Sequence, residues 1–132
     1  MRRGSAEIMT YKEDFASRVK AYFADSVDKA EEINRVWRLT KAYFYEISNS
    51  LEGEAKILGD YIQFNDEDDF FEFSIRYYGL EFKKKTFSIE VSRIHGENVK
   101  GITIIECEDG KVNLDTDILD KYVSENIEKY LV

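Results

Sequence analysis

The cysteine Cys107 and the histidine His95, each the only one of its type in the chain, are the residues best suited to covalent chemistry. A thiol becomes a strong nucleophile when an adjacent imidazole takes its proton. The predicted strand pairing opposes such a dyad, because it places His95 beside a loop, opposite Gly101, with Cys107 six residues further along. At about 3.3 Å per residue the two side chains are roughly 20 Å apart. We therefore predict no enzymatic activity, a loop position for His95 and an inward-facing Cys107.

Four consecutive acids, Asp66, Glu67, Asp68 and Asp69, are the second group whose side chains could do chemistry. Carboxylate oxygens are the ligands that Ca²⁺ and Mg²⁺ prefer, but several of them must converge on one point. Consecutive residues in a short loop rarely converge, and this run lacks the spacing of an EF-hand. We predict an acidic hairpin tip that contacts a basic protein surface, with no metal and no other cofactor.

Three lysines, Lys83, Lys84 and Lys85, form a small basic spot in an otherwise acidic chain of net charge −8. They could hold a phosphate or an acidic peptide. A surface that binds single-stranded nucleic acid usually has stacking aromatic residues between its basic ones, and this run has none. An acidic chain also repels the phosphate backbone. We predict that nucleic acid is not a partner, and that the lysines either pair with carboxylates such as Glu72 across the strands or protect a strand edge.

Length and composition favour one globular domain, since 132 residues with 43% hydrophobic and 14% aromatic content are enough for a single core. We assign this domain to residues 10–132 and regard residues 1–9 as a flexible leader or an expression remnant. A lone cysteine excludes an intrachain disulfide, and no apolar run is long enough for a membrane span. The expected location is the cytoplasm, without a membrane partner.

Apolar residues at helical spacing predict two N-terminal helices, one over residues 10–24 and a longer one over residues 27–48. A third helix is predicted near the C-terminus, where Asp115 or Thr116 can cap its first turn. Between them, six short segments from Ala55 to Leu114 alternate apolar and polar residues, as strands do. The predicted class is therefore α+β: two N-terminal helices, a six-stranded antiparallel meander sheet, and a C-terminal helix packed on one sheet face.

The strand register follows from turn length, because a shift of one residue turns every side chain to the other face. We predict a two-residue turn at Gly59-Asp60, a four-residue loop at 66–69, a three-residue loop in which Gly79 supplies a positive φ, and a turn at Asp109-Gly110. These turns give the following opposed pairs: Ile57 with Ile62, Phe64 with Phe71, Ile62 with Phe73, Phe73 with Phe87, Phe71 with Ile89, and Cys107 with Val112.

Aromatic residues on the long helix suggest a binding surface. Tyr43, Phe44 and Tyr45 are consecutive, and at about 100° per residue they cannot all face one core. At least one tyrosine is expected near the surface, where aromatics favour interfaces, although a broad buried face remains an alternative. We predict a noncatalytic acidic interaction module, such as an inhibitor, an adaptor or an immunity-type factor. Its partner is a protein with a basic surface or a second copy of the chain, and the predicted contact residues are Trp37, Tyr43, Tyr45, Asp66, Glu67, Asp68 and Asp69.

A second hypothesis is a carrier or sensor of a small apolar ligand, with a cavity between the sheet and the C-terminal helix. Large aromatic side chains could instead fill the same volume as an ordinary core. The predicted lining residues of this cavity are Phe71, Phe73, Phe87, Ile89 and Tyr122.

Overall fold

The computed structural model of the chain describes residues 10–131, so the predicted leader, residues 1–9, lies outside the described part. The predicted α+β class is confirmed: two N-terminal helices, a six-stranded antiparallel sheet and a C-terminal helix follow one another in the chain. Each strand is hydrogen-bonded to its neighbours in sequence. The elements are α1 (Tyr11–Tyr22), α2 (Ala24–Ser50), α3 (Glu52–Leu58), β1 (Ile62–Glu67), β2 (Phe70–Ile75), β3 (Tyr78–Lys84), β4 (Ser88–His95), β5 (Asn98–Glu108), β6 (Lys111–Val112) and α4 (Thr116–Asn126), with 3-10 turns at Gly59–Tyr61 and Glu128–Tyr130.

Two of the helices, α1 and α4, begin with a side-chain cap, and the cap of α4 is a predicted one. Thr10 caps α1 by accepting a hydrogen bond from the backbone N–H of Glu13 at 3.2 Å. Asp115 caps α4 in the same way, with the backbone N–H of Ile118 at 3.0 Å. Phe23 alone separates α1 from α2, so the long helix begins three residues before the predicted start at 27.

Helix α2 contributes the central stripe of the core. Its buried residues recur every three or four positions, which places them on one face. Phe44 is fully buried, and its ring centroid lies 5.6 Å from that of Phe71, 5.5 Å from Phe73 and 5.4 Å from Phe82. Aromatic contacts at these separations add to the free energy of burial. The inner face of the sheet is therefore fixed against α2 by interlocking rings.

The first predicted strand is wrong, because residues 52–58 form helix α3. Two acids in its first turn and Lys56 near its end match the helix dipole, and Lys56 pairs with Glu52 one turn away at 3.3 Å. Ile57 is 85% exposed rather than paired with Ile62. Gly59, with a φ of 59°, ends the helix instead of forming a hairpin turn with Asp60.

The predicted register of β2 is also wrong, because the turns before and after this strand each contain two residues. The β1–β2 turn is Asp68-Asp69, so Phe64 lies opposite Phe73 rather than Phe71. The β2–β3 turn is Arg76-Tyr77, and Arg76 has a φ of 58°, a conformation that non-glycine residues seldom adopt. This turn has no glycine to mark it. The resulting pairs replace those predicted: Ile62 with Ile75, Phe73 with Leu80, and Phe71 with Phe82.

The segment predicted as the fourth strand, which contains Lys83 to Lys85 and Phe87, instead spans the end of β3, a turn and the start of β4. The backbone N–H of Lys85 donates to the carbonyl of Ser88 at 2.8 Å, which closes the turn between β3 and β4. Phe87 lies in this turn and is 47% exposed, whereas the prediction had it facing inward. Further along, Ile89 lies opposite Ile105. The predicted pairing of Cys107 with Val112 is confirmed.

Strand β5 follows an irregular path. Val91 lies opposite Thr103 and Ser92 opposite Gly101, so Ile102 is an extra residue that forms a bulge. Strand β6 pairs with β5 only at Cys107 and Glu108. Within the described residues, most of β5 therefore forms an edge of the sheet.

Gly79 lies inside β3 and not in a loop, and its φ is not positive. A Cβ added here would lie 2.7 Å from the carbonyl oxygen of Phe73 and 2.7 Å from the Cβ of Ser74, both of them held in β2. We expect Gly79→Ala to lower the free energy of unfolding by about 1–3 kcal/mol, measured by urea denaturation. Gly53→Ala is the control, since Gly53 is helical with open space around it. It should stabilise the protein by roughly 0.5–1 kcal/mol, and equal effects of the two variants would contradict the prediction.

Candidate functional site

The acidic turn, defined as residues 66–69, is held against α2 by three side chains of that helix. Trp37 Nε1 donates to the carbonyl of Asp68 at 2.9 Å. Lys41 Nζ donates to the carbonyl of Glu67 at 2.5 Å and lies 2.6 Å from Oδ1 of Asp66. The Tyr45 hydroxyl donates to the other oxygen of the Asp66 carboxylate. Because residues four apart share one helix face, these three side chains form a continuous clamp, which we call the α2 clamp (Trp37, Lys41, Tyr45).

Each clamp residue rests on an aromatic ring. Trp37 is only 4% exposed, and its ring lies 5.1 Å from that of Phe71. The Lys41 ammonium lies 5.5 Å from the centroid of the Trp37 ring, within range of a cation–π contact. Tyr45 packs edge-on against Phe64 with centroids 4.7 Å apart. The polar ends of the clamp are thus positioned by apolar packing beneath them.

Electrostatics favour the ionised form of Asp66. Its partial burial alone would raise the pKa, but hydrogen bonds from Lys41 and Tyr45, together with the Lys41 charge, outweigh this effect and lower the pKa. The hydrogen bond to Asp66 in turn raises the pKa of Tyr45. Asp66 is therefore a structural carboxylate, committed to contacts inside the molecule.

The other three acids of the turn are exposed to solvent. Lys84 Nζ lies 3.9 Å from Oδ1 of Asp69, and Lys83 Nζ lies 3.6 Å from Oε1 of Glu81. These two lysines therefore pair with Asp69 and Glu81, while Glu72 accepts a hydrogen bond from the side chain of Asn65 at 2.7 Å. The turn presents Glu67, Asp68 and Asp69 on a backbone that α2 holds in place.

Tyr43 lies apart from the acidic turn. Its hydroxyl donates to Oδ1 of Asp120 at 2.6 Å, which links α2 to α4. Burial, followed by the contact with Asp120, raises the pKa of Tyr43. The side chain borders a surface cavity of about 470 Å³ that also contacts Leu39 and Leu119. Of the seven predicted contact residues, Tyr43 is the one that the structure separates from the rest.

His95 and Cys107 lie at opposite ends of the β4–β5 hairpin. His95 is the last residue of β4, not a loop residue, and it lies opposite Asn98 rather than Gly101. Its ring meets those of Tyr78 and Tyr130 at 5.2 and 4.6 Å. Cys107 is nine residues beyond Asn98 along β5, or about 30 Å at 3.3 Å per residue. The thiol and the imidazole are too far apart to exchange a proton.

The residues predicted to line an apolar cavity do not form one group. Phe71, Phe73 and Ile89 are fully buried members of the core, and Tyr122 packs against its edge. Phe87 instead borders a separate surface cavity of about 310 Å³ next to Cys107. Phe71 and Phe73 are in ring contact with Phe44 of α2, at 5.6 and 5.5 Å between centroids.

Comparisons of the chain with protein-family models, with curated proteins and with solved structures found no match. Within residues 10–131, no helix is both long enough and apolar enough to cross a bilayer. In the same range, no group of three or more Asp, Glu, His or Cys side chains is arranged to hold a metal ion. The functional inference therefore rests on the contacts and charges described above.

Asp66→Asn should destabilise the protein in a pH-dependent way. Because the folded state lowers the pKa of Asp66, the ionised group stabilises the fold above its unfolded-state pKa of about 4, and this contribution is lost as the pH falls through the folded-state pKa. We expect a loss of about 1 kcal/mol at neutral pH, which shrinks in acid. Urea denaturation across the pH range measures it. Asp60→Asn, at an exposed position, is the control, and a pH-independent difference for Asp66→Asn would contradict the assignment.

Proposed function

We propose that the protein is a noncatalytic acidic interaction module, of the inhibitor, adaptor or immunity-type class, that binds a basic surface of a protein partner through the acidic turn. One observation carries the proposal. The α2 clamp holds two backbone carbonyls and one carboxylate of the turn, and it leaves the carboxylates of Glu67, Asp68 and Asp69 exposed. The groups that would contact a partner are distinct from those that hold the turn in place.

Rigid presentation of these charges favours binding. A mobile loop loses conformational entropy when it is ordered at an interface, and a turn already held by three side chains avoids most of that cost. The net charge of −8 adds long-range attraction to a basic partner and speeds the encounter.

Tyr45 supplies an aromatic contact beside the turn. It is 44% exposed, although its hydroxyl is bonded to Asp66. Tyrosine is enriched among the residues that dominate binding energy at interfaces, because a rigid ring buries much area with few rotatable bonds. Tyr45 therefore lies beside Asp66, at one end of the acidic turn.

The separation of Cys107 from His95 supports the noncatalytic part of the proposal, because the imidazole cannot take the proton of a thiol that lies so far away. The lone cysteine is consistent with a reducing compartment, and we propose the cytoplasm as the location. The apolar-ligand carrier has weaker support, because three of its five predicted lining residues are enclosed by other side chains of the core.

Two double variants of equal charge test the proposal. Asp68→Asn with Asp69→Asn neutralises the turn, whereas Glu54→Gln with Glu125→Gln removes two exposed charges elsewhere. The probe is an oligoarginine peptide, titrated calorimetrically at low and at moderate salt. We expect the turn variant to bind about tenfold more weakly, equivalent to about 1.4 kcal/mol, and the control to change by less than about twofold. Equal losses would show that net charge alone drives binding and would overturn the assignment to the turn.

The same variants serve as baits for a native lysate. A stoichiometric protein retained by the unmodified chain and by the control, but lost by the turn variant, is the expected result. Recovery of no such protein at either salt concentration would count against a protein partner.

A further inference from the structure

Helix α1 carries an apolar stripe that the described part of the molecule leaves uncovered. Every residue of α1 is exposed, including Tyr11 at 73%, Phe15 at 52%, Val19 at 36% and Tyr22 at 81%. Phe23, at the junction with α2, is 48% exposed. The rings of Tyr11 and Phe15 stack on each other at 6.0 Å rather than on the core. Exposing so much apolar area to water on one short helix is unfavourable in free energy.

The stripe continues the face that α2 buries. Steps of three or four residues lead from Tyr22 through Ser26 and Ala30, which are partly covered, to Ile33, which is fully buried. Residues at this spacing share one side of a helix. One apolar face thus extends from the core along α2 and on to α1, beyond the edge of the sheet. An amphipathic face of this kind normally packs against another apolar surface.

The exposed area is large enough for a specific contact. If an aromatic side chain offers about 200 Å², the exposed fractions of the four aromatic residues correspond to roughly 500 Å² per molecule. Two such faces together would bury on the order of 1,000 Å², the lower limit for a stable interface.

The charge of α1 is compatible with a second copy of this chain as the occupant. The whole chain carries −8, whereas α1 holds three basic residues and two acidic ones, a net charge of +1. Two copies that meet through α1 therefore repel each other less at the contact than two copies that meet through acidic surface.

We propose that the protein forms a two-fold symmetric homodimer in which the apolar stripes of the two α1 helices, with Phe15 near the middle of each, pack against each other. This interface is independent of the acidic turn and of the proposed function.

The first test measures the mass of the protein in solution by sedimentation over a range of concentrations. We expect twice the monomer mass for the unmodified chain, and a dissociation constant at least about tenfold higher for Phe15→Ser. Leu39→Ser, at a position on α2 that is 57% exposed and outside the stripe, is the matched control and should leave the dimer unchanged. A monomer at every concentration, or a dimer that Phe15→Ser does not weaken, would overturn the proposal. Circular dichroism confirms that each variant is folded.

A second test separates this interface from the acidic turn. The turn variant Asp68→Asn with Asp69→Asn should dimerise as tightly as the unmodified chain, and a loss of the dimer in this variant would overturn the assignment of the interface to α1.

Discussion

Phe44→Ala should lower the free energy of unfolding by about 3–5 kcal/mol, a large fraction of the stability of a domain of this size. Phe44 is fully buried at the centre of the core, and its ring contacts those of Phe71, Phe73 and Phe82. Truncation removes apolar burial and also leaves a cavity that rings held by two different elements cannot easily close.

Urea denaturation followed by circular dichroism measures this loss. Leu39→Ala, on the same helix but 57% exposed, is the control and should change stability by no more than about 0.5 kcal/mol. A loss below about 1.5 kcal/mol for Phe44→Ala would show that the core relaxes to fill the space, and would contradict the tight packing inferred for α2 and the sheet.

Trp37→Ala should cost a similar amount, about 3–5 kcal/mol, because Trp37 combines burial with a specific hydrogen bond. Trp37→Phe separates the two contributions. It retains an aromatic ring against Phe71 but loses the indole N–H that donates to the carbonyl of Asp68, and it should cost about 1–3 kcal/mol.

Substitutions at Trp37 and at Phe44 should also differ in their effects on the acidic turn. The backbone amide of Lys84 donates to the carbonyl of Asp69 at 2.8 Å and reports on the turn by hydrogen exchange. Its exchange should be faster in both Trp37 variants, and Phe44→Ala is the comparison for a general loss of stability. The Trp37 variants should speed exchange at the turn more than an equally destabilising change at Phe44. Equal exchange rates would mean that Lys41 and Tyr45 hold the turn without the tryptophan.

Much of the fold follows from local signals in the sequence. The cap at Asp115 is one of the two that the residue types offered, and the apolar stripe of the long helix is the one that packs on the sheet. Helix periodicity and capping are local properties, so they need no knowledge of distant contacts. The alternation of apolar residues likewise indicated an antiparallel sheet with one buried face.

The predicted strands are wrong where a turn contains no glycine, and where the apolar pattern fits both the helical and the strand period. Arg76 adopts a positive φ without the residue type that normally signals it, so the β2–β3 turn was misplaced and Phe87 was assigned to a strand. Residues 55–58 contain alternating apolar positions that also fit one turn of helix, and the exposed Glu52–Lys56 pair adds a small contribution in favour of the helix.

The candidate site was predictable only in part. The sequence marks the acids at 66–69 and the aromatics of the long helix, but not that Trp37 and Tyr45 reach the same turn while Tyr43 turns away to Asp120. Lys41 was missed, although its position midway between Trp37 and Tyr45, four residues from each, places all three on one face. Contacts between residues more than 20 positions apart depend on strand register, which was wrong in this region.

The bulge at Ile102 bears on how the protein behaves when it is concentrated. The edge of β5 exposes Val99 and Ile104, and a straight strand with such side chains would template the addition of further chains into a fibril. An extra residue bends the strand and breaks the regular spacing of its donors and acceptors, so an incoming chain could align with only a few residues on either side of it. The bulge therefore opposes the addition of further chains at the β5 edge of the sheet.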